Sequence, residues 1–233
     1  MTLGNLLCGC LGIVFVFEGN LLWASYLIFF AGVLDFLDGF VARLLNQHSE
    51  IGKQLDSLAD MVTFGVLPSF ILAKLIQLST TKSGVLSDLL DLSNSSHLPN
   101  LSYLAFILAL FSCLRLAKFN VDTRQSDSFI GVPTPANAFV VAAFPLILEF
   151  NPEYKSLILN QYILVTYTLV MGYLLIAELP LFALKFKDFS WASNKTKYVF
   201  LILSLILLIA LQFVAVPLII FLYIILSVIS RYY

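Results

Sequence analysis

The sequence predicts an all-α, polytopic integral membrane bundle of about eight transmembrane helices. Hydrophobic residues fill 60% of its 233 positions and charged residues only 12%, the mean hydropathy is +0.96, and long apolar runs recur from one end of the chain to the other. A soluble domain carries roughly 45–50% apolar residues, so composition alone makes lipid the expected solvent. No stretch is left over for a separate soluble domain, and residues 1–233 are expected to form one membrane-embedded unit.

In chain order, the apolar runs between polar breaks fall near residues 3–17, 21–42, 56–78, 100–114, 131–149, 158–179, 198–213 and 215–230. A hydrocarbon core of roughly 30 Å takes about 20 helical residues per crossing, with shorter spans tolerated. The first run has neither the basic flank nor the small-residue cleavage site of a secretory signal and is expected to be retained. Tyr198 to Ser230 is one apolar stretch that would make a straight helix of about 50 Å, so a hairpin over 198–231, turning near Gln212 and Pro217, is expected. Polar residues 79–99, including Ser83, Gly84 and the triplet Asn94-Ser95-Ser96, read as a long external connector.

Orientation follows from the basic residues, which accumulate on the cytoplasmic side of membrane proteins. Arg43, Lys53, Arg115, Lys118, Arg124, Lys185, Lys187, Lys195, Lys197 and Arg231 fall on one face, ten of the 13 lysines and arginines, while Lys74, Lys82 and Lys155 fall toward the other. Both chain ends are thus expected in the cytoplasm. The net charge of −1 and the pI near 6.1 provide no basic surface for nucleic acid. Cys8, Cys10 and Cys113 lie within apolar runs, and Cys8 and Cys10 project from separate helix faces, which indicates neither a disulfide framework nor a zinc site.

Four aspartates interrupt the apolar pattern. A carboxylate at the centre of a span costs about 2.5 to 3.5 kcal/mol on insertion scales, so four cost on the order of 10 kcal/mol unless something cationic offsets them. Asp35, Asp38, Gly39, Ala42 and Arg43 stand at i, i+3, i+4, i+7 and i+8, one stripe of a helix; Gly52, Asp56 and Asp60 stand at i, i+4 and i+8, one stripe of the next. Packed antiparallel, the two helices aim both stripes at one cavity. Oxygen ligands of this kind suit magnesium, manganese or calcium rather than zinc. Gly39, Ala42 and Gly52 leave room for a close-lying ligand, and the planar fork of Arg43 suits phosphate or carboxylate.

The pattern Asp35-x2-Asp38-Gly39-x2-Ala42-Arg43-x8-Gly52-x3-Asp56-x3-Asp60 resembles the signature of the CDP-alcohol phosphotransferases at every position. That resemblance implies a helical membrane enzyme, often dimeric, that takes CDP-diacylglycerol and an alcohol and releases CMP with the help of magnesium or manganese. It implies metal ligation by Asp35, Asp38 and Asp56, a role for Asp60 as base with a metal contact of its own, and nucleotide or phosphate contacts from Gly39, Ala42, Arg43 and Gly52.

Further stretches are similar to the branch of that family whose acceptor is L-serine. These are residues 2–9, residues 60–68, Arg115-Leu116-Ala117-Lys118-Phe119-Asn120, and Gly131-Val132-Pro133-Thr134-Pro135-Ala136-Asn137. Lys118 stands where many relatives carry arginine and Thr134 where an apolar residue is frequent. Within that resemblance the basic Arg115 and Lys118 suit the carboxylate of a zwitterionic serine entering from the cytoplasm, and they read equally as positive-inside anchors. Glu178 and His48 are read as solvated, and the prolines near 131–135 as setting the start of the fifth span. Two alternatives stay open: the same chemistry with glycerol 3-phosphate or an inositol phosphate, and an ion-coupled transporter. The transporter reading lacks the internal repeat such proteins usually carry, since the C-terminal half holds no second aspartate stripe.

Overall fold

The computed structural model of the chain describes residues 1–45, 49–82, 101–122, 128–182 and 190–229. Helix α1 (Thr2–Phe17) turns at Gly19, where φ is 81°, into α2 (Leu21–Leu44), and the two pack side by side. Helix α3 (Glu50–Asp60) starts at Ser49, whose hydroxyl accepts the Gly52 N–H at 3.0 Å. It continues through a π-helical turn, Met61–Val66, into α4 (Leu67–Lys82). Pro68 has no N–H to give to the preceding turn, which removes one rung of the helix ladder. Ser69 Oγ donates to the Gly65 carbonyl at 2.8 Å.

A 3-10 turn (Leu101–Phe106) leads into α5 (Ile107–Val121), and β1 (Ser128–Ile130) precedes α6 (Thr134–Phe150). After Phe150 the chain bends by 114° into Pro152–Ile158, which holds the short α7 (Lys155–Ile158). The Asn160 side chain then caps α8 (Gln161–Ile176), accepting from the N–H groups of Tyr162 and Ile163. Strand β2 (Pro180–Phe182), α9 (Trp191–Leu211) and α10 (Ala215–Ile229) complete the chain. The apolar centre runs along α4 and α6: Leu67, Ile71, Leu72 and Leu75 on the first and Ala138, Val141, Ala142 and Ala143 on the second are fully buried. Many large apolar side chains instead face outward, among them Leu3, Phe17, Phe36, Leu110 and Ile209, a surface suited to hydrocarbon and not to water. The protein is an integral membrane protein.

One sequence expectation, the span count, is supported in part. Among the described residues four helices are long and apolar enough to cross a bilayer, Leu21–Ala42, Glu50–Thr80, Leu101–Val121 and Asn194–Ile229, and the bent pair Thr134–Phe150 and Pro152–Ile158 makes a fifth. Thr2–Phe17 and Gln161–Ile176 are apolar but have 16 residues each, which at 1.5 Å per residue is about 24 Å. Length and composition therefore support four or five spans where the apolar runs suggested about eight. Part of the difference lies in Asn194–Ile229, which doubles back. Gln212 takes a φ of 49°, and the rings of Phe200 and Tyr223 stand 5.7 Å apart, although a straight helix would separate them by roughly 35 Å.

Helix α8 stops at Ile176, and Pro180–Phe182 pairs antiparallel with Ser128–Ile130, Ile130 opposite Pro180 and Ser128 opposite Phe182. Gly131 explains this ending. Its φ is 77°, its N–H donates to the Leu179 carbonyl at 2.9 Å, and any Cβ there would lie 2.5 Å from the Leu175 carbonyl oxygen. The loop before α6 thus takes the backbone groups that a longer α8 would have used.

Candidate active site

The aspartate stripes converge, with α1 as the element that joins their helices. Asp35 on α2 and Asp56 and Asp60 on α3 each bring a carboxylate oxygen within 4.8 Å of the other two. Helix α1 packs against both α2 and α3 and contributes the neighbouring polar groups. Asn5 is fully buried, and its Nδ2 donates to Asp60 Oδ1 at 2.9 Å. The Asn5 backbone carbonyl accepts from Thr63 Oγ1 at 2.9 Å, which ties α1 to the π turn that follows Asp60. Gly9 sits one turn further along, and a Cβ at that position would come within 3.0 Å of the Thr63 Cα, so the two backbones can meet only over glycine. Nothing in residues 2–9 announces these contacts by pattern. They join positions 55 and 58 apart in sequence, beyond the reach of helical periodicity.

Asp38 stands apart from the three. Its Oδ2 accepts from Thr2 Oγ1, again a group of α1. Gly39 and Ala42 are half-buried on the same stripe. Gly52 is exposed; its N–H is bonded to Ser49, and a Cβ would approach that hydroxyl to 2.9 Å, so this glycine also serves the cap of α3. The Arg43 side chain lies outside the described residues, as do His48, Arg124, Lys185, Lys187, Arg231 and the Asn94 triplet.

Arg115, near the C-terminal end of α5, lies close enough to Asp60 for the two charges to act on one another. It is only 7% exposed, and its NH1 donates to Thr134 Oγ1 at 3.0 Å. Its Nε is buried with no hydrogen-bond partner among the described residues, at a cost of about 1 to 3 kcal/mol for an unmet buried donor. Lys118 is exposed and shares with Arg115, Phe119, Asp122, Ile130 and Glu178 the lining of a recess of about 30 Å³. A second tie fixes α5 to the carboxylate helix: Lys53 Nζ donates to the Asn120 carbonyl at 2.7 Å, and Asn120 Nδ2 donates to Ser57 Oγ at 2.9 Å.

Three buried or half-buried carboxylates within 4.8 Å would repel one another strongly without a counter-charge. The donor set, all hard oxygen, fits a divalent cation of the magnesium, manganese or calcium kind. Asn5 and Thr2 already hold two of the four acids in place from a third helix.

A helical bundle with such a carboxylate centre, a buried arginine beside it and an apolar outer surface defines a membrane enzyme with a site able to hold a divalent cation. The chain belongs to the CDP-alcohol phosphatidyltransferase family, whose model matches residues 1–174. It is 36% identical over 135 residues to the CDP-diacylglycerol–serine O-phosphatidyltransferase of Bacillus subtilis (strain 168), a match covering 58% of this chain and 67% of that protein. Over 210 residues it is 29% identical to the protein of the same name from Helicobacter pylori (strain ATCC 700392 / 26695), covering 88% of this chain and 78% of the relative. The protein of that name from Methanocaldococcus jannaschii is 33% identical over 144 residues, covering 62% and 57%.

Proposed function

We propose that this protein transfers the phosphatidyl group of CDP-diacylglycerol to L-serine, giving phosphatidylserine and CMP. The observation that carries the reading is the convergence of Asp35, Asp56 and Asp60 within 4.8 Å in a chain whose relatives bear that activity in their names.

Asp60 is the general base in this reading. It is 8% exposed, and Asn5 holds its Oδ1, which leaves Oδ2 to receive the proton of the serine hydroxyl. As the serine oxygen bonds to the phosphorus that carries diacylglycerol, the bond from that phosphorus to the CMP oxygen breaks. Asp35, Asp56 and Asp60 hold the divalent cation, with Asp38 able to join by leaving Thr2. Magnesium or manganese, when bound, supplies neutralisation of the pyrophosphate charge. Gly39, Ala42 and Gly52 leave space for the nucleotide, Arg43 contacts phosphate, and Arg115 and Lys118 receive the serine carboxylate.

The site faces the cytoplasm in this reading, because Lys53, Arg115 and Lys118 all lie at its end of the bundle. Eight crossings are accommodated if the bilayer thins around the short α1 and α8. The homodimer rests on family resemblance alone.

The test is direct: detergent-solubilised protein is given CDP-diacylglycerol, magnesium and radiolabelled L-serine, and both lipid label and CMP are followed. Labelled phosphatidylserine formed in equal amount with CMP is the expected result. Product with glycerol 3-phosphate or an inositol phosphate, and none with serine, would move the protein to another acceptor.

A further inference from the structure

We propose that Thr134 is a positioning residue that sets the Arg115 guanidinium for the carboxylate of the acceptor, and so contributes to selecting an alcohol that carries one. The proposal rests on the serine-accepting reading above and goes beyond it, since it concerns a side chain on a different helix that touches neither the carboxylate cluster nor its ligands.

Thr134 is the first residue of α6 and is fully buried. The N-cap of that helix is Pro133, one residue earlier, so the Thr134 hydroxyl does not stand at the capping position. The bond it does make is to Arg115, accepting from NH1 at 3.0 Å. Among the described residues this is the one hydrogen bond of a guanidinium that is 7% exposed, and the Nε–H beside it has no partner. A buried arginine in a structural role is ordinarily met by a carboxylate that offsets its charge. Here the partner is a neutral hydroxyl, which fixes the plane of the fork without consuming its charge. The free Nε–H donor suits an incoming carboxylate, for which the guanidinium geometry is matched.

The backbone holds Thr134 with equal care. Gly131 and Val132 are bonded to the Leu179 and Leu174 carbonyls at 2.9 and 3.0 Å, so the loop leading to Thr134 is anchored to the end of α8 and the chain beyond it.

The experiment compares Thr134→Val and Thr134→Ser with the wild-type enzyme in detergent, using L-serine and, as a probe lacking the carboxylate, serinol. Thr134→Val keeps the shape and removes the hydroxyl. It is expected to raise KM for L-serine roughly five- to ten-fold, with kcat and KM for CDP-diacylglycerol within about two-fold and any serinol turnover unchanged. Thr134→Ser restores the wild-type KM for serine. The proposal is overturned if Thr134→Val leaves KM for serine unchanged, or if turnover of both substrates falls together and Thr134→Ser fails to rescue it. Failure of the underlying reading looks different, because the wild-type enzyme then makes no labelled phosphatidylserine at all.

Discussion

Asn5 Nδ2 donates to Asp60 Oδ1 at 2.9 Å, so the first helix of the chain orients a carboxylate on the third. The bond is buried, and one made to an ionised carboxylate is worth about 1.5 to 3 kcal/mol. Asn5→Leu keeps much of the volume and removes the donor. Its kcat for CMP release should fall about 10- to 100-fold, with KM for CDP-diacylglycerol little changed, as measured by steady-state kinetics in detergent. A kcat within two-fold of wild type would show that Asp60 needs no such support.

The acids should separate by role. Asp60→Asn keeps the size of the carboxylate but cannot take a proton, and turnover should drop by about 10² to 10⁴ while CDP-diacylglycerol still binds. Asp38→Asn should instead raise the magnesium or manganese concentration needed for half-maximal activity. Exhaustive chelation should stop the wild-type enzyme, and either metal should restore it. Recovery of Asp60→Asn by excess metal would make Asp60 chiefly a ligand.

Two glycines with nearly the same φ offer an internal comparison. Gly19 and Gly131 take φ values of 81° and 77°, but a Cβ at Gly19 meets nothing within 4 Å, whereas at Gly131 it lies 2.5 Å from the Leu175 carbonyl oxygen. Gly19→Ala should cost only the left-handed penalty of about 1 to 2 kcal/mol. Gly131→Ala should cost more, read as a larger fall in thermal midpoint in the same detergent. Equal losses would mean that the loop before α6 yields easily.

Topology is open to labelling. A cysteine at position 46, in a background with Cys8, Cys10 and Cys113 replaced, should react only with reagent that reaches the cytoplasm. Modification by a membrane-impermeant reagent outside intact cells would invert the orientation.

The meeting of Asp35, Asp56 and Asp60 was legible because it follows from two local periodicities, i to i+3 and i to i+4, and a short connection. The turn at Gln212 was legible for a similar reason, since a polar residue marks it within an apolar stretch. What local pattern could not reveal is the role of α1 in the site: Thr2 and Asn5 reach Asp38 and Asp60 across 36 and 55 positions. Nor did it show the β1–β2 pair, because strands of three residues are too short for alternation to register and their apolar content reads equally well as helix. Asp38 fell on the expected stripe but turns to Thr2, a rotamer choice that helix spacing does not determine. Length supports fewer crossings than the apolar runs suggest, since hydropathy counts runs and a 16-residue helix qualifies before its length is tested.

The pairing of β1 with β2 also sets an order of events during synthesis. Every aspartate of the cluster has been made by residue 60, yet the loop that carries Thr134 can be clasped only after Pro180–Phe182 has left the ribosome. Tyr223 then secures that strand, its hydroxyl donating to the Phe182 carbonyl at 2.8 Å, and it lies only six residues before the end of α10. The arginine side of the site is thus finished after the carboxylate side, by a residue of α10. A nascent protein arrested before residue 180 would hold its carboxylates while lacking the brace behind Arg115.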